Sequence, residues 1–519
     1  MLGHERQGCL RGRFVPVVWL CLCALVRAQS PISASQAPDL RSQVEALQSS
    51  LGDTRAELER SRQEVTELRR RLEELEARIS GPAATSAPQA SSSSAFPTLE
   101  DALKAQQPAA PSGEAAASQE RQELLAAQVA EQSQTKVESG SRYKVKLSGL
   151  ILMNTHFNNG AVDNTDLPGL ALPQTPGQPA GDFAATLRQT VLGLEMTGPK
   201  LAGASTAADL QIDFFGGFPS YQYGVASGLV RLRTARASLD WGNTKLVLGQ
   251  DTPFFSPLSP TSYASVGEPA FSWAGNQWVW TPQIRLEHTW AFSDSSGLTL
   301  TGGILDPLTE YIPEDQFNRS PSAGESSRQP AYAAHVAWKG KLGTQTATVG
   351  AGTYYSRQSY GFGRNVDAWE GTTDLDLPLG RWFAFSGEFY RGRALGGLGG
   401  GVWNSIVANG DPDDAGTHIV GLNSVGGWSQ LKVKPLPKLE FNVAAGTDNP
   451  LASDLRIFPN PMGSEFPAFG RNQSLFANSI YRPRSNLILA LEYRRLRTYM
   501  ANDAKASADH INLAFGVAF

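Results

Sequence analysis

The sequence has no cysteine beyond residue 23. Its three cysteines, Cys9, Cys21 and Cys23, all lie within residues 1–28, where arginines precede an apolar run that ends in Val-Arg-Ala. This order is typical of a secretory signal peptide, and the run is too short to span a membrane comfortably. We therefore predict that residues 1–28 are removed. The absence of cysteine from the mature chain then excludes disulfide frameworks, zinc–cysteine sites and cysteine nucleophiles.

Long apolar runs are also missing after residue 28. A chain that crosses a membrane without such runs must do so as a closed barrel, because every backbone group in lipid needs a partner within the protein. There is no excess of basic residues either, since 45 Lys and Arg stand against 49 Asp and Glu. This balance argues against a nucleic-acid partner.

Catalytic and metal-binding motifs are absent as well. The chain contains neither G-x-S-x-G nor H-E-x-x-H, and the acidic stretch 411–414 lacks the glutamate that completes a calcium loop. The histidines beyond residue 28 are widely scattered in sequence and form no local constellation: His156, His288, His335, His418 and His510. We predict that the protein is not an enzyme and uses no cofactor or metal.

The last ten residues have a period of two. Ile511, Leu513, Phe515, Val517 and Phe519 alternate with small or polar residues, a pattern typical of a strand with lipid on one side and water on the other. A strand of a soluble sandwich can alternate in the same way. A terminal strand that ends in Phe, however, resembles the closing strand and assembly signal of Gram-negative outer-membrane barrels.

Sixteen segments between residues 143 and 519 share this alternation, most clearly 143–157, 277–290 and 486–498. Short turns alternate with long polar loops, the asymmetry expected between periplasmic turns and external loops. An all-β, 16-stranded antiparallel transmembrane β-barrel is therefore predicted for residues 141–519, although fourteen or eighteen strands remain possible. Barrels of about 16 to 18 strands enclose an aqueous channel.

Residues 39–80 have a period of seven instead. One heptad register holds ten apolar seam residues, and charges of opposite sign occupy the flanking g and e positions. This pattern predicts an α-helical coiled coil and hence an oligomer, without deciding between two and three strands. A linker rich in Ala, Pro and Ser (81–118) and a short helix (119–140) lead to the barrel.

The connection from 251 to 276 is rich in large rings, namely Phe254, Phe255, Tyr263, Phe271 and Trp273. So many rings are unexpected in a loop left in water, so we predict that the connection folds into the barrel and narrows it. An external loop packed on its neighbours is the alternative. The candidate residues for this constriction are Asp251, Tyr263 and Glu268.

Charged residues on the polar sides of the strands are the candidates for lining a pore. Charges fixed around a narrow passage select ions by sign, so a basic wall facing Asp251 or Glu268 would favour anions. Each arginine can equally serve as one half of a structural ion pair. The candidates are Lys144, Lys146, Arg231, Arg233, Arg285, Glu492 and Arg494.

Several local stretches and the order of the segments resemble one family, the DcaP-like trimeric porins of Gram-negative outer membranes. The stretches are 136–139 before 143–150, Asp-Phe-Phe-Gly at 213–216, Leu-Gly-Gln-Asp at 248–251 and Gly-Asn-Gln-Trp at 275–278. The resemblance implies a homotrimer in the outer membrane, with a periplasmic coiled coil, that passes small anionic or dicarboxylic solutes by passive diffusion.

Further partners expected from this interpretation are outer-membrane lipid, the barrel assembly machinery and, through the coiled coil, the cell wall. The alternative function is a structural tether or an adhesin with a plugged, non-conducting barrel. Conduction of ions distinguishes the two, because a porin must conduct and a tether or an adhesin would conduct little.

Overall fold

A computed structural model describes Arg70 and residues 144–519, apart from 219–227, 310–318, 344, 459–468 and 503. The predicted signal peptide, linker and short helix at 119–140 lie outside the described residues, as does the predicted coiled coil apart from Arg70. Within the described ranges no helix has both the length and the apolar character needed to cross a membrane.

The described residues form nineteen strands and a few single-turn helices, which include α1 (Gly400–Trp403) and α2 (Ala452–Leu455). The strands are β1 (Lys144–Asn159), β2 (Gly181–Thr186), β3 (Val191–Leu201), β4 (Ala204–Asp213), β5 (Arg231–Asp240), β6 (Thr244–Asp251), β7 (Thr281–Ser293), β8 (Ser296–Leu305), β9 (Ala331–Leu342), β10 (Gln345–Ser359), β11 (Asn365–Leu379), β12 (Phe383–Arg393), β13 (Ile406–Ala408), β14 (Ile419–Gly421), β15 (Asn423–Leu436), β16 (Leu439–Pro450), β17 (Phe469–Arg484), β18 (Leu487–Met500) and β19 (Lys505–Ala518).

The sheet closes on itself as an antiparallel barrel. From β3 to β12 and from β15 to β19 each strand pairs with the next along the chain, and β12 pairs with β15. The barrel closes where β1 pairs with β19, from Leu150 opposite Ala518 to Asn159 opposite Asp509. Strands β2 and β3 both pair with β1 and act as one wall strand interrupted at 187–190, while β13 and β14 form a separate hairpin. The wall therefore has sixteen strands, which confirms the predicted fold class and strand number.

The alternation of side chains explains why these segments form a barrel wall. Along β19, Ile511, Leu513 and Phe515 are 44–56% exposed on the outer side, whereas Asn512 and Ala514 between them are buried on the inner side. A strand that buries polar groups and exposes apolar ones suits a wall between lipid and a polar interior. Other wall strands also expose large apolar residues on the outer side, for example β18, where Leu489 and Leu491 flank the inward Ala490.

The two ends of the barrel differ in their connections. At one end the connections β3–β4, β5–β6, β7–β8, β9–β10, β11–β12, β15–β16 and β17–β18 have two or three residues. At the other end the connections have between four and 29 residues, the longest being those after β6 and β12. Short turns face the periplasm and long loops face outward in barrels of this kind, so we term the long-loop end external.

Candidate functional site

The inner side of the wall is lined with polar and charged side chains, and this lining is the candidate functional site. On β11 the inward residues include Glu370, Thr372 and Asp374, and on β18 they include Glu492 and Arg494. Each alternates with an outward residue of the same strand, as the register of β11 with β10 shows. The interior of the barrel is therefore polar, although the side chains named here are themselves buried.

The first charged group joins Arg231 and Arg233 of β5 to Asp213 of β4. Arg231 donates through Nε and Nη2 to both carboxylate oxygens of Asp213 at 3.1 and 2.8 Å, and Arg233 donates to Oδ2 at 2.9 Å. Both guanidinium groups also lie over the ring of Trp280, at 4.6 and 4.7 Å from its centroid. Two cations thus share one carboxylate and one aromatic face.

A bulge in β5 places Arg236 on the same inner side as Arg231 and Arg233. In the pairing with β4, Gln211 is opposite Thr234 and Ile212 is opposite Leu232. Arg233 therefore has no residue opposite it and is the extra residue of the bulge. A bulge re-aims side chains by one position. Strict alternation placed Arg231 and Arg233 on the same side as Leu229, which made their positions ambiguous in the sequence.

The second charged group is centred on Asp251, at the end of β6. Its Oδ2 accepts from Arg236 at 3.0 Å and from Arg285 at 2.8 Å. Arg236 also pairs with Asp209 at 3.0 Å, and Arg285 pairs with Glu287 at 2.8 Å. This group has two guanidinium groups and three carboxylates, so each of its arginines is paired and the group as a whole has one excess negative charge.

The partners of these ion pairs differ in exposure. The side chain of Arg231 is 22% exposed and that of Arg236 is 32% exposed, whereas their carboxylate partners Asp213 and Asp251 are 0% and 5% exposed. Asp213 and Asp251 are therefore covered, whereas the side chains of Asp209 and Glu287 are 25% and 28% exposed. The exposed surface of this wall carries charges of both signs.

The β6–β7 segment, residues 252–280, is bound to inward side chains along much of the wall. The carbonyl oxygen of Phe255 accepts from Thr372 of β11 at 2.6 Å. Glu388 of β12 accepts from Ser256 Oγ at 2.8 Å and from the backbone N–H of Leu258 at 2.7 Å.

The contacts of the segment continue around the wall in order. Thr261 donates its backbone N–H to Gln430 of β15 at 2.7 Å, and its carbonyl oxygen accepts from Asn478 of β17 at 2.9 Å. Ser262 donates to Glu492 of β18 at 2.6 Å, and Arg494 donates to Ser265. The segment is therefore anchored by side chains of five wall strands, namely β11, β12, β15, β17 and β18.

The last part of the segment reaches β1 and β5. Asn154 donates to the carbonyl oxygen of Tyr263 at 2.9 Å, and the carbonyl oxygen of Val266 accepts from Arg233 at 2.8 Å. Gln189, between β2 and β3, accepts from the backbone N–H groups of Val266 and Gly267 at 2.7 and 2.9 Å. Polar wall residues thus satisfy the backbone of a segment that has no regular structure, as buried backbone groups require.

The large rings of the segment pack against rings of the wall. Phe255 is fully buried, and its ring centroid lies 5.2 Å from that of Tyr354 on β10. Phe271 lies 5.0 Å from Phe476 on β17. Burial of this aromatic surface explains why the segment is rich in such residues.

Two carboxyl groups outside the strands have raised pKa values. Burial raises the pKa of Glu268 to about 7, and the nearby charge of Asp163 raises it further, while Arg231 acts in the opposite direction. Burial also raises the pKa of Asp163, in the connection after β1, to about 6. Ser272 donates to Glu268 at 3.4 Å. Both groups therefore change charge near neutral pH.

The structure brings some of the predicted site residues together and separates others. Arg494 and Glu492 form an ion pair at 2.7 Å that is almost completely buried. Lys144 and Lys146 lie at the short-turn end of β1, and no hydrogen bond or ion pair joins them to the arginines among the residues described. Tyr263 contacts Arg482, whose Nη2 donates to the phenolic oxygen at 3.4 Å.

Sequence reasoning missed Asp213, Arg236, Gln189 and Glu388 as members of the site. Arg236 is three residues from Arg233 and strict alternation separates them, but the bulge places both on the inner side. Glu388 alternates with Phe389, which was a usable signal of its inward position. Asp213 and Gln189 gave no comparable signal, because their partners are distant in sequence.

A closed wall of sixteen antiparallel strands with an apolar outer side and a polar inner side defines the class of transmembrane β-barrels to which channels belong. The comparisons with known structures agree. The chain is similar to the outer membrane channel DcaP of Acinetobacter baumannii, with a TM-score of 0.55 and 16% identity over 74% of this chain and 100% of that one. The chain has the fold of the outer-membrane porins, and the resemblance inferred from the sequence is confirmed at this level.

Two further solved structures are more distant. An anion-selective porin from Comamonas acidovorans has a TM-score of 0.47 and 13% identity over 73% of this chain and all of that one. OmpF of Salmonella typhi, solved with daunomycin, has a TM-score of 0.43 and 11% identity over 74% of this chain and 99% of that one. No protein-family profile and no curated protein sequence matches the chain.

Proposed function

We propose that this protein is an outer-membrane porin through which small hydrophilic solutes diffuse passively. The observation that carries the proposal is the closed sixteen-stranded wall with apolar residues outside and polar residues inside. A barrel of this strand number is wide enough for an aqueous passage. Diffusion through it needs no energy source, and the solutes move down their own gradients.

The β6–β7 segment is proposed to narrow this passage. Its hydrogen bonds to Thr372, Glu388, Gln430, Glu492 and Asn154 support this proposal, because these side chains belong to β11, β12, β15, β18 and β1 and point inward. A segment held by these inward groups occupies part of the cross-section of the barrel that water would otherwise fill. The size limit for solutes then depends on the position of the segment.

A preference for anions, dicarboxylates among them, is part of the proposal. Its support is the exposure of Arg231 and Arg236 in front of the buried Asp213 and Asp251. The sign of the nearest exposed charge determines which ions concentrate in a narrow passage. Because each arginine has a carboxylate partner, we expect this preference to be moderate.

The test is single-channel recording of the refolded mature protein in a planar bilayer. We expect discrete conductance steps, and under a salt gradient a reversal potential that indicates anion preference. A preference for cations would still agree with a porin, but it would contradict the proposed role of the arginines. Absence of steps from protein with native β-sheet circular dichroism would contradict transport and favour the non-conducting tether.

A homotrimer held in part by the 39–80 coiled coil is also proposed, with the coiled coil in the periplasm, where it can reach the cell wall. Its support is the heptad pattern of that segment. Conductance steps in groups of three would agree with three pores per assembly. The mass of the assembly before and after deletion of 39–80 tests the contribution of the coiled coil.

A further inference from the structure

The outer wall carries a concave patch between β12 and β18, which we term the outer groove. It has a volume of about 860 Å³, and small residues of β15 and β16 form its floor: Gly427, Ser429, Ala445 and Thr447. Phe389 and Leu475, both about half exposed, form its sides. The register, with Phe389 opposite Gly427 and Leu475 opposite Ala445, places these residues on the outward side of their strands.

Three arginines line one margin of the outer groove, namely Arg471 of β17 and Arg495 and Arg497 of β18. Arg495 pairs across the strands with Leu475, and Arg497 pairs with Gln473. The inward neighbour Arg494 has its own partner in Glu492. The three arginines of the groove therefore belong to the lipid-facing side, where isolated charges are costly.

The compensation of these charges is incomplete. Arg495 pairs with Asp509 at 3.0 Å. Arg471 lies over the ring of Tyr499 at 4.2 Å. Among the residues that the structure describes, neither Arg471 nor Arg497 has a carboxylate partner. The groove thus presents two positive charges that no described carboxylate offsets.

The position of the arginines along the barrel matches the outer leaflet. Arg471 is two residues from the first residue of β17, and Arg497 is three residues from the last residue of β18, both at the external end. At about 3.3 Å per residue, Arg471 lies roughly 7 Å and Arg497 roughly 10 Å from the strand end. Further towards the short-turn end the same wall is apolar, with Leu431 and Val443 exposed.

We propose that the outer groove binds the phosphate-bearing headgroup of an anionic lipid of the outer leaflet. Guanidinium groups bind phosphate oxygens through paired, charge-assisted hydrogen bonds, and Arg471 and Arg497 have donors free for them. The acyl chains of the lipid lie along Phe389, Leu475 and Val443. The small residues of the floor leave room for the headgroup against the wall.

A second copy of the chain is a less suitable occupant of this groove than an anionic lipid. Only two carboxylates point outward from the described strands, Asp367 and Asp509, and they already pair with Arg357 and Arg495 at 2.9 and 3.0 Å. The outer wall of another copy therefore offers no free acidic strand residue for Arg471 and Arg497. Phosphate groups supply the missing negative charge.

The test measures binding of diphosphoryl lipid A to the purified mature protein in neutral detergent, by native mass spectrometry over a range of lipid concentrations. The double variant Arg471→Gln/Arg497→Gln is compared with wild type. We expect its affinity to be about tenfold weaker, which corresponds to ~1.4 kcal/mol. We also expect lipid A without its phosphates to bind wild type weakly, and added salt to weaken the binding of the phosphorylated form.

Arg357→Gln is the matched control, because Arg357 is also outward, exposed and near the external end of its strand. It should bind lipid A like wild type. The proposal would be overturned if all variants bound lipid A equally, or if wild type bound the dephosphorylated lipid as tightly as the phosphorylated one. It would also be overturned if the double variant changed its oligomeric mass while its lipid binding stayed the same. If the double variant does not fold, Arg497→Gln alone gives the test. Single-channel conductance should be the same in all variants, which separates this inference from the proposed transport.

Discussion

At the scale of single residues, Asp213 determines how much positive charge Arg231 and Arg233 present inside the barrel. The carboxylate is fully buried and bonds to both guanidinium groups. Its charge therefore offsets one of the two cations, and its loss should be visible both in ion selectivity and in stability.

Asp213→Asn should shift the reversal potential towards anions, because one negative charge is lost next to two cations. It should also destabilise the barrel by about 3 kcal/mol, the cost of removing one partner from a buried ion pair. Reversal potential under a salt gradient and the thermal midpoint in detergent measure the two effects. Asp240→Asn, the same charge change at the short-turn end of β5, is the control, and an equal selectivity shift there would contradict a local role for Asp213.

A second prediction at this scale concerns the titration of Glu268. Burial raises its pKa from 4.5 to about 7, so the folded protein holds this proton more tightly than the unfolded chain. The group therefore destabilises the fold progressively as pH rises from about 4.5 through 7, and imposes no penalty at lower pH.

Glu268→Gln should reduce the fall in thermal midpoint between pH 5 and pH 8 compared with wild type. The neutral amide occupies the same site without a charge to desolvate. Thermal unfolding followed by circular dichroism over this pH range is the measurement. Asp163 also titrates near pH 6 and remains in the variant, so a residual slope is expected, and an unchanged slope would show that Glu268 is not the main group.

At the scale of elements, the β6–β7 segment depends on close approach to the wall. Gly275 has a φ of +95°, and a Cβ at this position would overlap the carbonyl oxygen of Thr447 and the backbone of Gly427. A side chain here therefore meets both backbone strain and the backbone of β15 and β16.

Gly275→Ala should push the segment away from β15 and β16 and towards the barrel axis, which would lower single-channel conductance. The left-handed backbone should add a loss of stability of about 1–2 kcal/mol. Gly371→Ala is a suitable control because a Cβ there meets no atom within 4 Å. Unchanged conductance in Gly275→Ala, with its stability loss present, would indicate that the segment does not limit the passage.

The sequence predicted the positions of the wall strands better than the irregularities within them. The alternation in β19, β18 and the part of β7 from Ile284 to Trp290 gave the correct outward residues because lipid on one side imposes a strict period of two. The predicted strand began too early, because β7 starts at Thr281 and Trp278 is buried in the β6–β7 segment. The bulge at Arg233 and the break between β2 and β3 were not predicted. Both depend on pairing with a neighbouring strand, which a single-strand pattern does not contain.

At the scale of the whole molecule, the two ends of the barrel should face different compartments. The connection after β12 includes Asp413, which is exposed at the long-loop end, and the β5–β6 turn includes Asn243, which is exposed at the short-turn end. Because the sequence has no cysteine beyond residue 23, single cysteines can report the orientation.

In intact cells, Asp413→Cys should react with a membrane-impermeant maleimide and Asn243→Cys should not. After disruption of the outer membrane both should react, which serves as the control for accessibility of the second site. Labelling of Asn243→Cys alone in intact cells would mean that the barrel has the opposite orientation. The outer groove would then lie in the inner leaflet.

The sequence by itself predicted the barrel, with sixteen strands and fourteen or eighteen left open, and the lipid-facing side of the most clearly alternating strands, because contact with lipid on one side imposes a period of two. It also gave Arg231, Arg233, Arg285 and Asp251 as candidates for charged residues of the interior. Only the tertiary structure decided which charges meet, that Asp213 and Asp251 lie behind Arg231 and Arg236, and that Arg471 and Arg497 share a groove on the outer wall. These features arise where strands that are distant in sequence come together, and closure of the barrel is what brings them into contact.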